Sequence, residues 1–434
     1  MEIFDSSAFI ILLMFVLLGS GAWLFSAFLL VSTLGLLFVV DMNPARIGAI
    51  MSQVMWRSAS SWELSAIPLF ILMGELIFHT DIARRLFRGL SPWVERLPGR
   101  LLHANVGGCT IFAAISGSSV ATAATIGKIT IGELDERGYD RDLSLGSLAG
   151  AGTFGLMIPP SINMIIYGVI AEVSVAKMFA AGVFPGLLLA VLYSGYIVVR
   201  CWFDPSKAPP AKRASWGDRL RGLVDLAPVM LLVFIVLGTI YTGIATPSES
   251  AVMGLAATIV LALVGRQLTF AVFVQALMST VRTSAMILTL MTAASFMSAA
   301  MGYMHVPQDV AAAIGSLDIS PLQLVLLLAV FYIVLGCFLD GISIMLMSLP
   351  IVLPLVTAAG YDPIWFGVFL IVVTELGLIT PPIGFNLFVL QGLTRLSLGR
   401  LARAAFPFFL LTCLAGAILV AFPELVLWLP RVLF

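Results

Sequence analysis

Charge is what this sequence has least of. Only 11% of its 434 residues are charged, 23 basic against 23 acidic, while 60% are hydrophobic. A water-soluble domain carries about 25% charged residues, so this chain has too little polar surface to cover a water-facing globule. Its mean hydropathy of +1.09 leads to the same place, an all-α polytopic membrane protein. Zero net charge removes the basic surface that nucleic-acid binding needs. Cysteine is scarce too. Cys109, Cys201, Cys337 and Cys413 stand far apart with no CxxC pair, which argues against a zinc knuckle or a disulfide framework. They read as small buried residues. His79, His103 and His305 fall near span ends without an acidic or Cys partner at ligand spacing, so no transition-metal site is expected. A phosphate loop is missing, because Gly127-Lys128 is followed by Ile129, and direct use of ATP is not expected. The segment Met1–Ser7 carries Glu2 and Asp5 and no basic residue, unlike a cleaved signal peptide, and no lipidation box stands at either end.

What the chain has in quantity is long apolar runs. About 20 helical residues cross a hydrocarbon core. Crossings are predicted at 8–20, 22–40, 62–79, 143–170, 178–200, 226–245, 250–265, 283–303, 363–392 and 404–428. Two further runs, 101–130 and 321–357, are interrupted by Ser116-Gly117-Ser118-Ser119 and by Asp340-Gly341-Ile342-Ser343. Polar breaks at mid-depth are tolerated only where protein or a cavity surrounds them, so both runs read as re-entrant hairpins.

The chain repeats itself. Gly138-Tyr139-Asp140 returns as Gly360-Tyr361-Asp362, and Gly155-Leu156-Met157-Ile158-Pro159-Pro160 as Gly377-Leu378-Ile379-Thr380-Pro381-Pro382, both 222 positions on. The hairpin breaks recur at an offset of 224. Ordered matches at nearly one offset imply a duplicated unit. The halves are 1–222 and 223–434, each with about five crossings and one hairpin. An odd number of crossings inverts the second copy. Placing the polar segment 200–225 in the cytoplasm puts all basic residues on that side except Arg46, Arg57, Lys177 and Arg431, as the positive-inside rule requires. Both termini then lie in the periplasm. Segments 46–60 and 80–98, with counterparts at 268–282 and 308–318, read as amphipathic arms along the interface.

The paired breaks carry the chemistry. Pro-Pro splits a helix. Carbonyls freed there can hold a small cation, and the next half-helix offers its amides to an anion. Inverted repeats with broken helices are the sequence pointer to a secondary-transporter site. Oxygen ligands are Ser116, Ser118, Ser119 and Thr153 in the first half, and Asp340, Ser343, Thr374, Thr380 and Asn386 in the second. Such a set suits a hard cation such as sodium. Asp340 and Glu375 are acids in apolar surroundings, where an acid marks function. Glu375 has the alternative of accepting helix-end hydrogen bonds. Glu249 and Glu172 read as solvated span-end residues.

These motifs, with Ala114-Ile115 and Val120-Ala121-Thr122-Ala123-Ala124 around the first tip, Ser161 after Pro160, and Ile383-Gly384-Phe385-Asn386-Leu387 after Pro382, resemble the large membrane subunit of tripartite ATP-independent periplasmic (TRAP) transporters. The resemblance covers about 60–395. It implies a sodium-driven importer of small organic acids, such as C4-dicarboxylates or sialic acid, in the bacterial inner membrane. It implies an elevator, in which a transport domain of hairpins and broken helices slides against a scaffold. It implies two separate partner chains, a small membrane subunit of about four helices and a periplasmic solute-binding protein. Sodium-binding regions carried over are Ser116, Gly117, Ser118 and Ser119; Gly152, Thr153, Gly155, Pro159 and Pro160; Asp340, Gly341 and Ser343; and Thr374, Gly377, Thr380, Pro381 and Pro382. The substrate carboxylate is expected between the tips, near Ser116, Ser118, Ser161, Asp340 and Asn386. Sodium is the only coupling ion expected, with no other cofactor. Lys128 departs from the small or apolar residue expected on the hairpin's descending arm. Two other readings stay open: a one-component sodium/anion symporter of the same broad fold, and an intramembrane serine protease built on Ser116–Ser119.

Overall fold

The computed structural model describes residues 10, 12–14, 16, 17, 19–210, 214–315 and 319–434, and among these every regular element is a helix. Met1–Ser7, Lys212, Arg213 and positions 316–318 of the last amphipathic arm lie outside the described residues. So does part of the first predicted crossing, whose described positions from 10 to 19 are helical.

The first labelled helices are α1 (Leu24–Phe38), α2 (Pro44–Ala59), α3 (Ala66–Phe78) and α4 (Ile82–Val94). Asn43 caps α2 and Pro44 supplies its first helical position. The segments Pro44–Ala59 and Trp62–Phe78 meet at 51°, so the arm expected at 46–60 turns into the crossing expected at 62–79. Next come α5 (Leu102–Ser116), α6 (Ser119–Glu136), α7 (Arg141–Gly152), α8 (Phe154–Met157), α9 (Ile162–Ile170) and α10 (Val175–Phe203). Then follow α11 (Trp216–Tyr241), α12 (Pro247–Val264), α13 (Phe270–Tyr303) and α14 (Val306–Gly315). The last are α15 (Pro321–Gly336), α16 (Gly341–Ala358), α17 (Pro363–Leu378), α18 (Phe385–Thr394), α19 (Leu398–Ala421) and α20 (Glu424–Leu433).

Seven spans among the described residues are long and apolar enough to cross a membrane, or eight when the bent pair counts as one. Two boundaries differ from the sequence reading. The polar segment 200–225, read as a linker, is helical at both ends: α10 runs on to Phe203, and a capping box of Ser215 and Asp218 starts α11 at Trp216. The arm expected at 268–282 is not separate. It continues into the next crossing as the 34-residue α13, since nothing between Phe270 and Tyr303 breaks a helix.

Packing divides the helices into two groups. In one, α11 runs along α4, α12 along α3, and α13 crosses α1, α2 and α3. Their outer faces are exposed and apolar, as at Leu220, Phe234 and Val260, which suits contact with lipid tails. In the other, α7 is gripped by α5, α6 and α19, and α17 by α10, α15 and α19. Every residue of α17 from Trp365 to Leu378 is buried. The groups meet where α3 reaches the first tip: a Cβ on Gly74 would lie 3.2 Å from the Ser116 carbonyl oxygen.

Candidate functional site

The recurring Gly-Tyr-Asp explains itself as local structure. Gly138 (φ +76°) and Gly360 (φ +89°) occupy the left-handed region that ends a helix. Asp140 then accepts from the Leu143 amide at 2.7 Å, and Asp362 from the Ile364 amide at 2.7 Å, so each aspartate caps a broken helix. Asp140 also receives the Lys207 ammonium at 2.8 Å. Burial alone would raise its pKa, but Lys207 and the Leu143 amide override that and hold the carboxyl below its ordinary range.

The two hairpin tips share a plan. Gly117, at φ +61°, ends α5, and Ser118 caps α6 by accepting from the Ala121 amide at 3.4 Å. Asp340 caps α16, accepting the Ile342 and Ser343 amides at 3.0 and 3.3 Å and the Ser343 hydroxyl as well. Each tip therefore brings the start of a helix to a turn, capped by a hydroxyl in one half and a carboxylate in the other.

Each tip rests on the break of its own half. Pro159–Pro160 and Pro381–Pro382 are both cis and interrupt the helices as expected. A Cβ on Gly117 would meet the Pro160 carbonyl oxygen at 3.2 Å, and one on Gly155 would collide with the Ser118 carbonyl. In the second half the Ile383 amide donates to the Cys337 carbonyl at 3.2 Å, and the backbones of Gly336 and Gly377 touch. The halves also cross. A Cβ on Gly341 would lie 2.9 Å from Nδ2 of Asn163, and Asn386 donates to the Ala149 carbonyl at 3.4 Å beside Gly152. The four segments named from sequence thus converge.

Hydrogen-bond commitments sort the side chains. Thr153 donates to the Gly150 carbonyl at 2.8 Å, Thr374 to Leu370 at 2.6 Å and Thr380 to Leu376 at 2.6 Å. Their hydrogens are spent and their lone pairs are free, which suits a cation. Asn386 commits one amide hydrogen to the Ala149 carbonyl, and its Oδ1 is buried without a partner. Ser161 is the opposite case. It heads α9 without capping it, and its buried hydroxyl has no partner. Ser116, expected to face the substrate, is committed elsewhere: Thr122 donates to the Ser118 carbonyl at 2.7 Å, so the 2.8 Å contact from Ser116 to Thr122 uses the Ser116 hydrogen. Asp340 is acceptor-only and can meet an anion only through a cation. Ser118 keeps its hydroxyl hydrogen. Ser119 is buried in the first turn of α6.

Two features go beyond the sequence reading, the surroundings of Glu375 and the residue Asn163. Glu375, marked from sequence as an acid at depth, accepts none of the helix-end hydrogen bonds offered as its alternative: both oxygens are buried without a partner, and the hydroxyl that approaches them belongs to Thr153. Thr153 and Glu375 stand 222 positions apart, the offset of the recurring motifs, so the signal was present in the sequence. The other is Asn163, a polar residue inside Ile-Asn-Met-Ile-Ile, hidden by its apolar neighbours. Lys128 lies 4.6 Å from the Phe78 ring centroid, a cation over an aromatic face. A cavity of 1120 Å³ opens elsewhere, between the α2–α3 bend and the α9–α10 junction, and no residue named for the site lines it.

With this geometry in place, known proteins supply the context. The family model described as "Tripartite ATP-independent periplasmic transporter, DctM component" matches residues 11–425. The chain is 34% identical over 380 residues to the C4-dicarboxylate TRAP transporter large permease protein DctM of Pseudomonas aeruginosa, covering 87% of this chain and 88% of that one. It is 30% identical over 402 residues to the 2,3-diketo-L-gulonate TRAP transporter large permease protein YiaN of Escherichia coli, covering 92% and 93%. It is 32% identical over 366 residues to the isethionate TRAP transporter permease protein DctMQ of Oleidesulfovibrio alaskensis, and there it spans only 56% of the relative's length. Among solved structures, the YdaH transporter of Alcanivorax borkumensis superposes with a TM-score of 0.62 over 89% of this chain and 87% of that one, at 16% identity, a likeness of fold alone. These relatives are named as transport proteins, not enzymes. The chain belongs to the DctM family, the large permease component of tripartite transporters, and is a multi-pass membrane protein.

Proposed function

We propose that this chain imports a small organic acid anion across the bacterial inner membrane, coupled to sodium, as the large permease of a three-part system. A periplasmic binding protein delivers the anion, and a separate small membrane subunit completes the permease. Both termini lie on the periplasmic side, in keeping with the basic residues gathered on the other face. The relatives named for dicarboxylate and diketogulonate support the substrate class.

One observation carries the reading. Two hairpin tips and two broken helices meet so that unspent donors stand near unspent acceptors. Helix starts and free donors stabilise a carboxylate. Hydroxyl lone pairs, the Asn386 oxygen and the Asp340 carboxylate stabilise sodium. Bound together, each ion lowers the cost of burying the other, which is the physical basis of coupling. Sliding of the hairpin-bearing group against the α1–α4 and α11–α13 group would carry the loaded site across.

The test is uptake into proteoliposomes holding the whole permease, with labelled succinate and 2,3-diketo-L-gulonate as probes. The expected result is uptake of at least one probe that needs both an inward sodium gradient and the binding protein. Uptake indifferent to sodium would overturn the coupling. Sodium-driven uptake without the binding protein would move the chain to a one-component symporter.

A further inference from the structure

We propose that Arg219, held between Trp93 and Trp216 where α4 crosses α11, binds the phosphate of an anionic membrane lipid. The site lies apart from the hairpin tips, in the group of helices without the proline breaks.

Arg219 is the one buried arginine or lysine among the described residues, at 5% exposure. Its guanidinium carbon lies 5.2 Å from the Trp216 ring centroid and 6.0 Å from that of Trp93. Its Nε is buried without a partner, and the side chain makes no hydrogen bond or ion pair among the described residues. The neighbouring acids are taken. Asp225 holds Arg85 at 3.4 Å and Arg88 at 3.9 Å. Asp218 accepts the Ser215 amide and hydroxyl at 2.9 and 2.7 Å, and Glu95 accepts the Ala214 amide at 3.1 Å. A buried cation without an anion is costly, and two aromatic faces offset only part of that cost. Standing near the start of α11, Arg219 also faces the positive end of the helix dipole. The place is rigid: a Cβ on Gly89 would lie 2.7 Å from the Gly222 carbonyl oxygen, so the two backbones touch one turn from Arg219.

The missing anion has to come from outside the chain, and the surface says from where. Trp216 is 71% exposed and heads a face of α11 that continues through Leu220, Leu223 and Val224 to Phe234, all exposed. That face suits lipid tails, and a tryptophan at its end marks headgroup depth. Arg88, Arg96 and Arg221 are exposed around the same crossing. Basic pockets between membrane helices bind anionic headgroups. A lipid phosphate accepts from the guanidinium fork with two oxygens at once, while its acyl chains lie along the apolar face of α11. A soluble anion would satisfy the arginine and have no use for that face.

The experiment uses the intact permease with both membrane subunits, in detergent, and native mass spectrometry to count bound lipid. The probes are phosphatidylglycerol, phosphatidylcholine and inorganic phosphate. Wild type binds phosphatidylglycerol more tightly than phosphatidylcholine. Arg219→Gln raises the Kd for phosphatidylglycerol about tenfold to a hundredfold, the range for losing hydrogen bonds to a charged group, and leaves phosphatidylcholine within about twofold. Arg219→Lys keeps the charge without the fork and falls between. Arg221→Gln, at an exposed neighbour, changes the Kd by less than about threefold. Should Arg219→Gln fail to assemble, Arg219→Lys and the surface change Trp216→Leu decide, each expected to weaken phosphatidylglycerol severalfold. Phosphatidylglycerol affinity within twofold of wild type in the Arg219 variants overturns the proposal, as does a wild type that does not prefer the anionic lipid. Displacement of the lipid by millimolar inorganic phosphate would overturn the lipid assignment in favour of a free anion. A two-subunit permease that binds no phosphatidylglycerol would give the site to a protein partner instead.

Discussion

The two proline breaks carry the same motif and sit in opposite surroundings. Around Pro159–Pro160 every residue from 151 to 168 is buried. Around Pro381–Pro382 both prolines are exposed and Thr380 is half-buried. The first tip is held on one side by Gly74 of α3 and on the other by Gly155, whereas Phe338 at the second tip is 55% exposed. A shared motif therefore fixes where a helix breaks and leaves open what closes around it. The sealed break holds the unpartnered Ser161 hydroxyl and Asn163 amide nitrogen next to Thr153, whose hydrogen is spent. The open break presents oxygens whose hydrogens are spent, at Thr374 and Thr380. Access differs between the breaks at Thr380 and Ser161, while the spent hydroxyls of Thr153 and Thr374, both buried, are shared chemistry.

The largest expected effect tests access. In a chain with its four native cysteines replaced, Thr380→Cys reacts with a water-soluble maleimide about a hundredfold faster than Ser161→Cys, since the sealed site must first open at a cost of about 3 kcal/mol. Equal rates would dissolve the contrast, and no reaction at either site would mean that the open face meets lipid. Next is close packing. Gly155→Ala drives a methyl into the Ser118 carbonyl and lowers thermal stability by about 1–3 kcal/mol or more. Gly384→Ala, at φ +57° in the second break, costs about 1–2 kcal/mol for its backbone alone. Melting curves that rank these two the other way would contradict the sealed first break. Smaller still, Thr380→Val raises the half-saturating sodium concentration about fivefold, from loss of one oxygen ligand worth about 1 kcal/mol, and Thr380→Ser leaves it near wild type. A sodium requirement unchanged in Thr380→Val removes that oxygen from the site.

The smallest effect lies outside the membrane. The folded carboxyl of Asp140 is held below its ordinary range, so its stabilising contribution is complete above the unfolded pKa of about 3.9 and is lost as pH falls through the folded value. Wild type therefore loses more thermal stability between about pH 5 and pH 3 than Asp140→Asn does. Parallel losses would show that the Lys207–Asp140 pair adds nothing to α7.

Much of this was legible in the sequence, for particular reasons. Long apolar runs placed the crossings, and Ser116–Ser119 and Asp340–Ser343 marked the tips because a polar segment at mid-depth has few explanations. Gly-Tyr-Asp was legible as a repeat and silent about its work, which is to end one helix and cap the next. The linker was overdrawn because the charges of Asp218, Arg219 and Arg221 look solvated, while a capping box at Ser215 had already begun α11. Hydrogen-bond commitments were not legible at all. Ser116 and Ser161 are alike in sequence, yet one hydroxyl is tied to Thr122 and the other is unmet. Asn163 was invisible because it meets the second tip only through Gly341, almost 180 positions away.

The most direct test of the division between donors and acceptors is one paired measurement. Ser161→Ala and Thr380→Val are placed in identical proteoliposomes, and KM for the transported acid and half-saturating sodium are measured for both. The account predicts a double separation: the first variant moves the substrate KM and spares sodium, and the second moves sodium more than the substrate KM. Both variants shifting both constants equally would contradict it, and would mean that the two breaks act as one undivided site.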